Sequence, residues 1–182
     1  MRNVNQPHAA LACRSAHAVA QLPQARRIGN GDPAPARLDS ALALPLAQQP
    51  ADRFGGRAGH GATEDGTVDV TLTLPKELGG DGAPGANPEK LFAIGYSACF
   101  LGALKFVAGQ EKVKIPENAK VTATVGVGPR EDGGGFGIEA ALEVSVPGLD
   151  KAVVEDLVKK AHVVCPYSHA TRGNLDVKTT VA

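Results

Sequence analysis

The residues of this 182-residue sequence with the most reactive side chains are its three cysteines, Cys13, Cys99 and Cys165. They are too few and too far apart for a disulfide-stapled secreted scaffold, which favours a reducing cytoplasm. Cys99 lies inside the apolar run GYSACFLGAL, and Cys165 falls on the apolar side of a predicted helix. Both thiols are therefore expected to point inward. The simplest interpretation of such a pair is two small core hydrophobes.

Two other chemistries fit these segments less well. His162, Cys165 and His169 are spaced to converge on one metal ion, but no CxxC pair or carboxylate ligand stands nearby. The string GYSAC resembles a nucleophile elbow around Ser97, yet it ends in cysteine instead of glycine and lies within a predicted helix. We therefore expect no metal and no serine nucleophile.

The element that must position Cys99 is a long apolar helix. Asn87 supplies an N-cap, Pro88 suits the first helical position, and Glu89 lies where the helix dipole favours a negative charge. The helix is predicted to run to about Gly109. Its apolar run, residues 91 to 104, is shorter than a membrane span. Because it is apolar almost all round, it belongs at the centre of the domain or against a partner subunit.

Alternating apolar residues predict strands over residues 67 to 74, 121 to 127, 138 to 146 and 175 to 182. The second and third of these are joined by PREDGGG and form a hairpin. Asp150 caps a second, amphipathic helix that ends at Pro166. This order predicts an α+β domain with a mainly antiparallel sheet.

Composition separates a tail from this domain. Residues 1 to 50 are rich in Ala, Pro, Gln and Arg and lack periodicity, which predicts a disordered extension, with a targeting segment as the alternative. Cys13 is then an incidental thiol. Residues 51 to 182 form one globular domain. The formal net charge is zero, so neither nucleic acid nor an anionic membrane is an expected partner.

Several strings resemble one known family. They are PKELGG, GANPEKLFAIGYSACFLGALKFVA, GGGFGIE and AHVVCPYSHATRGN, together with an upstream GGR loop. From about Gly55 to Ala182 the chain is similar to the organic hydroperoxide resistance (Ohr) proteins of the OsmC-like superfamily. The resemblance implies an OsmC-like fold and an intertwined homodimer with active sites at its interface.

The resemblance also implies roles for four residues. Cys99 corresponds to the peroxidatic thiol, Cys165 to the resolving thiol that forms a disulfide with it, Arg57 to the arginine of the GGR loop and Glu89 to the glutamate of NPE. The family reduces organic hydroperoxides without a bound cofactor, and dihydrolipoamide or a lipoylated protein supplies the electrons. The alternatives are an OsmC-type enzyme of different substrate preference and a non-catalytic redox-sensing or ligand-binding member.

Elementary chemistry agrees with these implied roles. Burial raises the pKa of a cysteine, so a nearby cation such as Arg57 is needed to favour the thiolate, and Glu89 would orient the guanidinium. By residue type alone, Arg57 would be an ordinary solvated arginine and Glu89 a helix N-terminal charge. Glu89 and Cys99 are ten residues apart on one helix, hence about 15 Å along its axis, which suggests that one site needs two chains.

Apolar surroundings favour bulky alkyl or fatty-acid hydroperoxides over hydrogen peroxide, because burial of the organic group contributes binding energy. The candidate pocket residues are Phe92, Tyr96, Phe100 and Phe136, each of which fits the core equally well. One departure from the family stands upstream. The segment before the GGR loop contains two prolines and does not alternate, so the sequence leaves open whether the family's first strand is present.

Overall fold

The computed structural model describes residues 51–182. The predicted extension over residues 1 to 50, with Cys13, lies outside them. In chain order the elements are β1 (Ala51–Phe54), β2 (Gly59–Thr63), β3 (Asp69–Leu72), a 3-10 turn (Lys76–Leu78), α1 (Pro88–Gln110), β4 (Lys120–Pro129), β5 (Phe136–Ser145), α2 (Lys151–Val164), α3 (Pro166–Thr171) and β6 (Val177–Val181).

The strands form two three-stranded sheets. The first has the order β1-β2-β3 and is antiparallel throughout. The second has the order β4-β5-β6, in which the β4–β5 hairpin is antiparallel and β5 pairs with β6 in parallel. The predicted α+β class with a mainly antiparallel sheet is confirmed, although the strands divide between two sheets.

Helix α1 begins where its capping residues predict. The Asn87 side chain accepts a hydrogen bond from the Lys90 backbone N–H at 2.8 Å, and Pro88 occupies the first turn, where a missing N–H costs nothing. One side of the helix is enclosed by α2 and β4, and its Tyr96, Phe100 and Leu104 are fully buried. α1 is therefore the core helix that its apolar sequence predicts.

The opposite side of α1 is open in the single chain. Ile94 is 66% exposed and Phe106 is 58% exposed. Among the described residues α1 is also the one helix long and apolar enough to cross a membrane, although a core helix satisfies the same criterion. In this structure α1 contacts α2 and β4, as a core helix does.

The second layer of the core comes from α2 and the hairpin. The Asp150 side chain accepts from the Ala152 backbone N–H at 2.9 Å and begins α2. Four residues at helical spacing on α2 are buried: Val154, Leu157, Val158 and Ala161. Leu142 and Val144 of β5, in the hairpin, belong to the same buried core cluster. Both elements follow their sequence periodicity because each buries one face.

Three elements were not predicted from the sequence. The presence of the family's first strand, which the sequence left open, is decided by the structure: β1 forms just after the prolines and pairs with β2, from Ala51↔Thr63 to Phe54↔His60. β2 itself reads GHGAT and carries no alternation to reveal it. Pro166 ends α2 as predicted, but it also begins α3, because proline is tolerated in a helix's first turn.

Candidate active site

The two thiols of the domain lie side by side. Cys99 is partly buried in α1, and Cys165 is completely buried at the junction of α2 and α3. Their Sγ atoms are 3.6 Å apart, with the Cys165 thiol donating toward the Cys99 sulfur. A disulfide requires about 2.05 Å, so the two sulfurs are near enough to be joined by a small displacement once one of them is oxidised.

The junction between α2 and α3 explains how Cys165 reaches Cys99. The backbone of Cys165 is extended, with φ −70° and ψ 120°, while its N–H still donates to the Ala161 carbonyl at 2.9 Å. The following Pro166 begins α3, which contacts both α1 and α2. The break in the helix thus turns the Cys165 side chain toward α1 instead of along the α2 surface.

The surroundings of Cys99 act on its pKa in opposite directions. Burial is the largest influence and raises the pKa above its ordinary value. A hydrogen bond from the backbone N–H of Tyr167 lowers it, and the neighbouring Cys165 thiol raises it. Within the single chain these influences together disfavour the Cys99 thiolate.

The second pair consists of Arg57 and Glu89. Arg57 follows Gly55 and Gly56, whose φ angles of 84° and 66° form the tight turn after β1. Its Nη2 donates to Glu89 Oε2 at 2.5 Å. Glu89 is only 9% exposed, and the Arg57 hydrogen bond holds its pKa below the ordinary value although burial acts in the opposite direction.

One hydrogen-bond donor of the Arg57–Glu89 pair has no acceptor among the described residues. The Nε atom of Arg57 is buried and finds no hydrogen-bond partner among the described residues, while the guanidinium side chain as a whole is 40% exposed. A buried N–H without an acceptor costs free energy. The position is therefore suited to an acceptor such as a peroxide oxygen or a thiolate.

The two pairs are separate within one chain. Arg57 is not among the groups that shift the pKa of Cys99. Glu89 lies in the first turn of α1 and Cys99 ten residues later, about 15 Å along the axis. The structure thus brings together Arg57 with Glu89 and Cys99 with Cys165, and it leaves the cation away from the thiol that it was expected to activate.

The predicted pocket aromatics divide into two groups. Phe92 contacts Tyr96 edge to face at 5.8 Å between ring centroids, and Tyr96 contacts Phe100 at 6.5 Å. Tyr96 and Phe100 are fully enclosed, so in the single chain they belong to the core and only Phe92 of this group is partly exposed. Phe136 lies elsewhere, 74% exposed at the start of β5 and paired with Pro129.

Tyr167 is a site residue that the sequence-based reasoning did not select. Its ring centroid lies 5.8 Å from that of Phe92 and 5.7 Å from that of Tyr96. Its place two residues after Cys165 is the one signal in the sequence that could have suggested it.

His162, one of the three residues whose spacing was considered for a metal ion, contacts hydroxyl groups instead. His162 Nδ1 lies 3.0 Å from Ser168 Oγ, and its Nε2 lies 3.0 Å from Thr179 Oγ1. Ser168 Oγ also lies 3.0 Å from the Tyr96 hydroxyl. Burial, and then the charge of Arg172, lower the pKa of His162. Within residues 51–182 no three His, Cys, Asp or Glu side chains are grouped to hold an ion.

Comparison with known proteins identifies the family. The model of the OsmC-like protein family matches residues 79–180. An organic hydroperoxide resistance protein of Xanthomonas axonopodis pv. citri is 53% identical over 128 residues, which cover 70% of this chain and 89% of that protein. The chain belongs to the Ohr family of OsmC-like proteins. The resemblance predicted from the sequence is thereby confirmed.

Solved Ohr structures have the same fold. A crystal structure of an organic hydroperoxide resistance protein from Legionella pneumophila has a TM-score of 0.70 and 44% identity, covering 75% of this chain and 98% of that one. That of OhrB from Bacillus subtilis has a TM-score of 0.69 and 40% identity, covering 75% and 99%. The OsmC-like segment contains Glu89, Cys99 and Cys165, whereas Arg57 precedes it.

Proposed function

We propose that this chain is a thiol-dependent peroxidase that reduces organic hydroperoxides to alcohols. The observation that carries the proposal is the 3.6 Å separation of two reduced thiols, one partly buried and one enclosed. Relatives named for organic hydroperoxide resistance, at 53% and 44% identity, support the substrate class.

The reaction is a two-thiol cycle. The Cys99 thiolate attacks the terminal oxygen of the hydroperoxide, the O–O bond breaks, and the alkoxide leaves as an alcohol after taking a proton. Cys99 is then a sulfenic acid. The Cys165 sulfur attacks the Cys99 sulfur, the hydroxyl leaves as water, and a disulfide forms. An external dithiol reduces this disulfide and becomes a disulfide itself.

Cys99 needs a cation, since its own chain holds its pKa above the ordinary value. We assign that role to Arg57, oriented by Glu89, in a homodimer where at least one of them serves the partner's thiol. The long separation of the two pairs along α1 and the exposed apolar side chains of α1 support this arrangement. In a water-poor interface the guanidinium stabilises the thiolate and the departing alkoxide.

The apolar surroundings favour alkyl or fatty-acid hydroperoxides over hydrogen peroxide. We propose dihydrolipoamide or a lipoylated protein as the reductant, the cytoplasm as the compartment, and no bound cofactor. These proposals extend the Ohr-family resemblance to this chain.

The test is steady-state turnover of cumene hydroperoxide with dihydrolipoamide, compared with thioredoxin and with glutathione as electron donors. We expect turnover with dihydrolipoamide and none in Cys99→Ser. Disulfide formation after one equivalent of hydroperoxide, with no turnover by any donor, would instead favour a redox-sensing role. Turnover that survives Cys99→Ser would refute the mechanism.

A further inference from the structure

Gly95, one helical turn before Cys99 on α1, forms a notch against the ring of Tyr167. A Cβ placed on Gly95 would lie 2.8 Å from Tyr167 Oη and 3.2 Å from both Cε2 and Cζ. Such contacts are closer than side chains tolerate, so any residue larger than glycine displaces the ring. The two other glycines of α1, Gly102 and Gly109, have nothing within 4 Å of the same position.

The ring of Tyr167 is in contact with other aromatic rings and is partly exposed to solvent. Phe92 and Tyr96 contact it, and Tyr167 remains 37% exposed. Its backbone N–H lies close enough to Cys99 to lower the pKa of that thiol. Because four helical residues rise about 6 Å, Gly95 and the ring above it are neighbours of the thiol along α1. The exposed part of the ring therefore lies at the turn of α1 that precedes Cys99.

We propose that Gly95 and Tyr167 act together as a specificity element: the glycine notch seats the ring, and the ring contacts the organic group of the hydroperoxide attacked by Cys99. The inference rests on the proposed peroxidase function and adds to it two residues that contact or position substrate. Phe92 extends the same aromatic surface.

The physical basis is discrimination by apolar burial. An aryl or alkyl group that covers the exposed ring loses contact with water, whereas hydrogen peroxide has no such group. Losing one aromatic contact of this kind reduces the rate for a bulky substrate about tenfold, within the usual range for a small change in an apolar pocket. The rate for hydrogen peroxide is expected to stay within about twofold.

The first test measures kcat/KM for cumene hydroperoxide and for hydrogen peroxide in four variants: Tyr167→Ala, Gly95→Ala, their combination, and Gly102→Ala as the matched control. Both glycine-to-alanine changes raise helix propensity equally, and only Gly95→Ala adds a close contact with the ring, so Gly102→Ala controls for the effect of alanine on the helix itself. We expect Tyr167→Ala and Gly95→Ala to lower the cumene hydroperoxide value selectively. The combined variant should be no worse than Tyr167→Ala, because Gly95 acts through the ring.

Three outcomes would overturn the inference: an equal loss for both peroxides, a Gly95→Ala effect that persists without Tyr167, or the same effect in Gly102→Ala. Tyr167→Phe keeps the ring but removes the atom nearest the notch. It should therefore restore part of the activity lost in Gly95→Ala. Failure to restore any would contradict the proposed contact.

A second test needs no peroxidase activity. The alkylation rates of Cys99 by N-phenylmaleimide and by N-methylmaleimide are compared by mass spectrometry of the Cys99 peptide. These reagents share one electrophile and differ in their organic group. The phenyl preference should fall in Tyr167→Ala and in Gly95→Ala but not in Gly102→Ala. An unchanged preference refutes the specificity element, whereas absence of turnover in the unmodified protein refutes the peroxidase function alone.

Discussion

Removal of Arg57 should leave Glu89 as a carboxylate that is buried without its main donor. Glu89 is 9% exposed, and the hydrogen bond from Arg57 at 2.5 Å is the largest influence lowering its pKa. In Arg57→Ala that influence is lost while burial remains, so the pKa of Glu89 rises. Loss of one hydrogen bond to a buried charged group should cost about 1–3 kcal/mol of unfolding free energy at pH 7.

Substitution of Glu89 should lower the free energy of unfolding less than substitution of Arg57. In Glu89→Gln the amide oxygen can still accept from Arg57, and the guanidinium, with a side chain 40% exposed, keeps part of its hydration. The cost should therefore be smaller than that of Arg57→Ala. Arg130→Ala is the matched control, because its partner Asp132 and Arg130 itself are both exposed, and surface pairs contribute little.

The pH dependence follows from the lowered pKa of Glu89. A carboxyl group with a lowered pKa stabilises the folded state above its ordinary value of 4.5, and this contribution is lost as pH falls through the folded value. The stability difference between the unmodified protein and Arg57→Ala should thus be full at pH 7 and should shrink as the pH falls through the folded-state pKa of Glu89 in the variant and then through that in the unmodified protein. Urea unfolding at several pH values measures it. An equal difference at acid pH would show that the carboxylate charge is not involved.

The same variants test whether the pair acts as one unit in catalysis. The rate of Cys99 oxidation should fall similarly in Arg57→Ala and Glu89→Ala, and little further in the double variant. Mixing Glu89→Ala chains with Cys99→Ser chains should restore some activity if Glu89 serves the partner's thiol. Additive losses would refute the unit, and mixed dimers without activity would refute its action across the interface.

Three further expectations concern other parts of the domain. Cys165→Ser should allow one oxidation of Cys99 and then stall or over-oxidise, which mass spectrometry of the intact protein detects. Because the pKa of His162 is lowered, stability should fall as pH drops below its ordinary value of 6.5, and the melting temperature of His162→Gln should depend less on pH in that range. Charged substitutions at Ile94 or Phe106, both exposed in the single chain, should disrupt a homodimer in light scattering; an unchanged mass would count against α1 as the interface.

Local patterns in the sequence predicted most of the elements correctly. The Asn87 and Pro88 signals located the start of α1, and alternation located the β4–β5 hairpin, because capping and one-sided burial leave a periodic trace. β1 and β2 left none, since these short strands are held by backbone pairing, β1 with β2 and β2 with both β1 and β3, which leaves no periodic trace in their residues. The four residues implied by the family resemblance are placed by the structure as two pairs.

The sequence by itself determined the fold class, the core helix with Cys99 in its middle, and membership of the Ohr family, because these depend on residue order and periodicity. Only the tertiary structure decided that Cys99 and Cys165, 66 residues apart, lie 3.6 Å from each other, that Phe136 lies apart from the other aromatics, and that His162 contacts hydroxyl groups. The short distance between the two sulfurs arises from how α1, α2 and α3 pack against one another. Packing depends on side-chain shape across the whole core, which spacing along the chain does not encode.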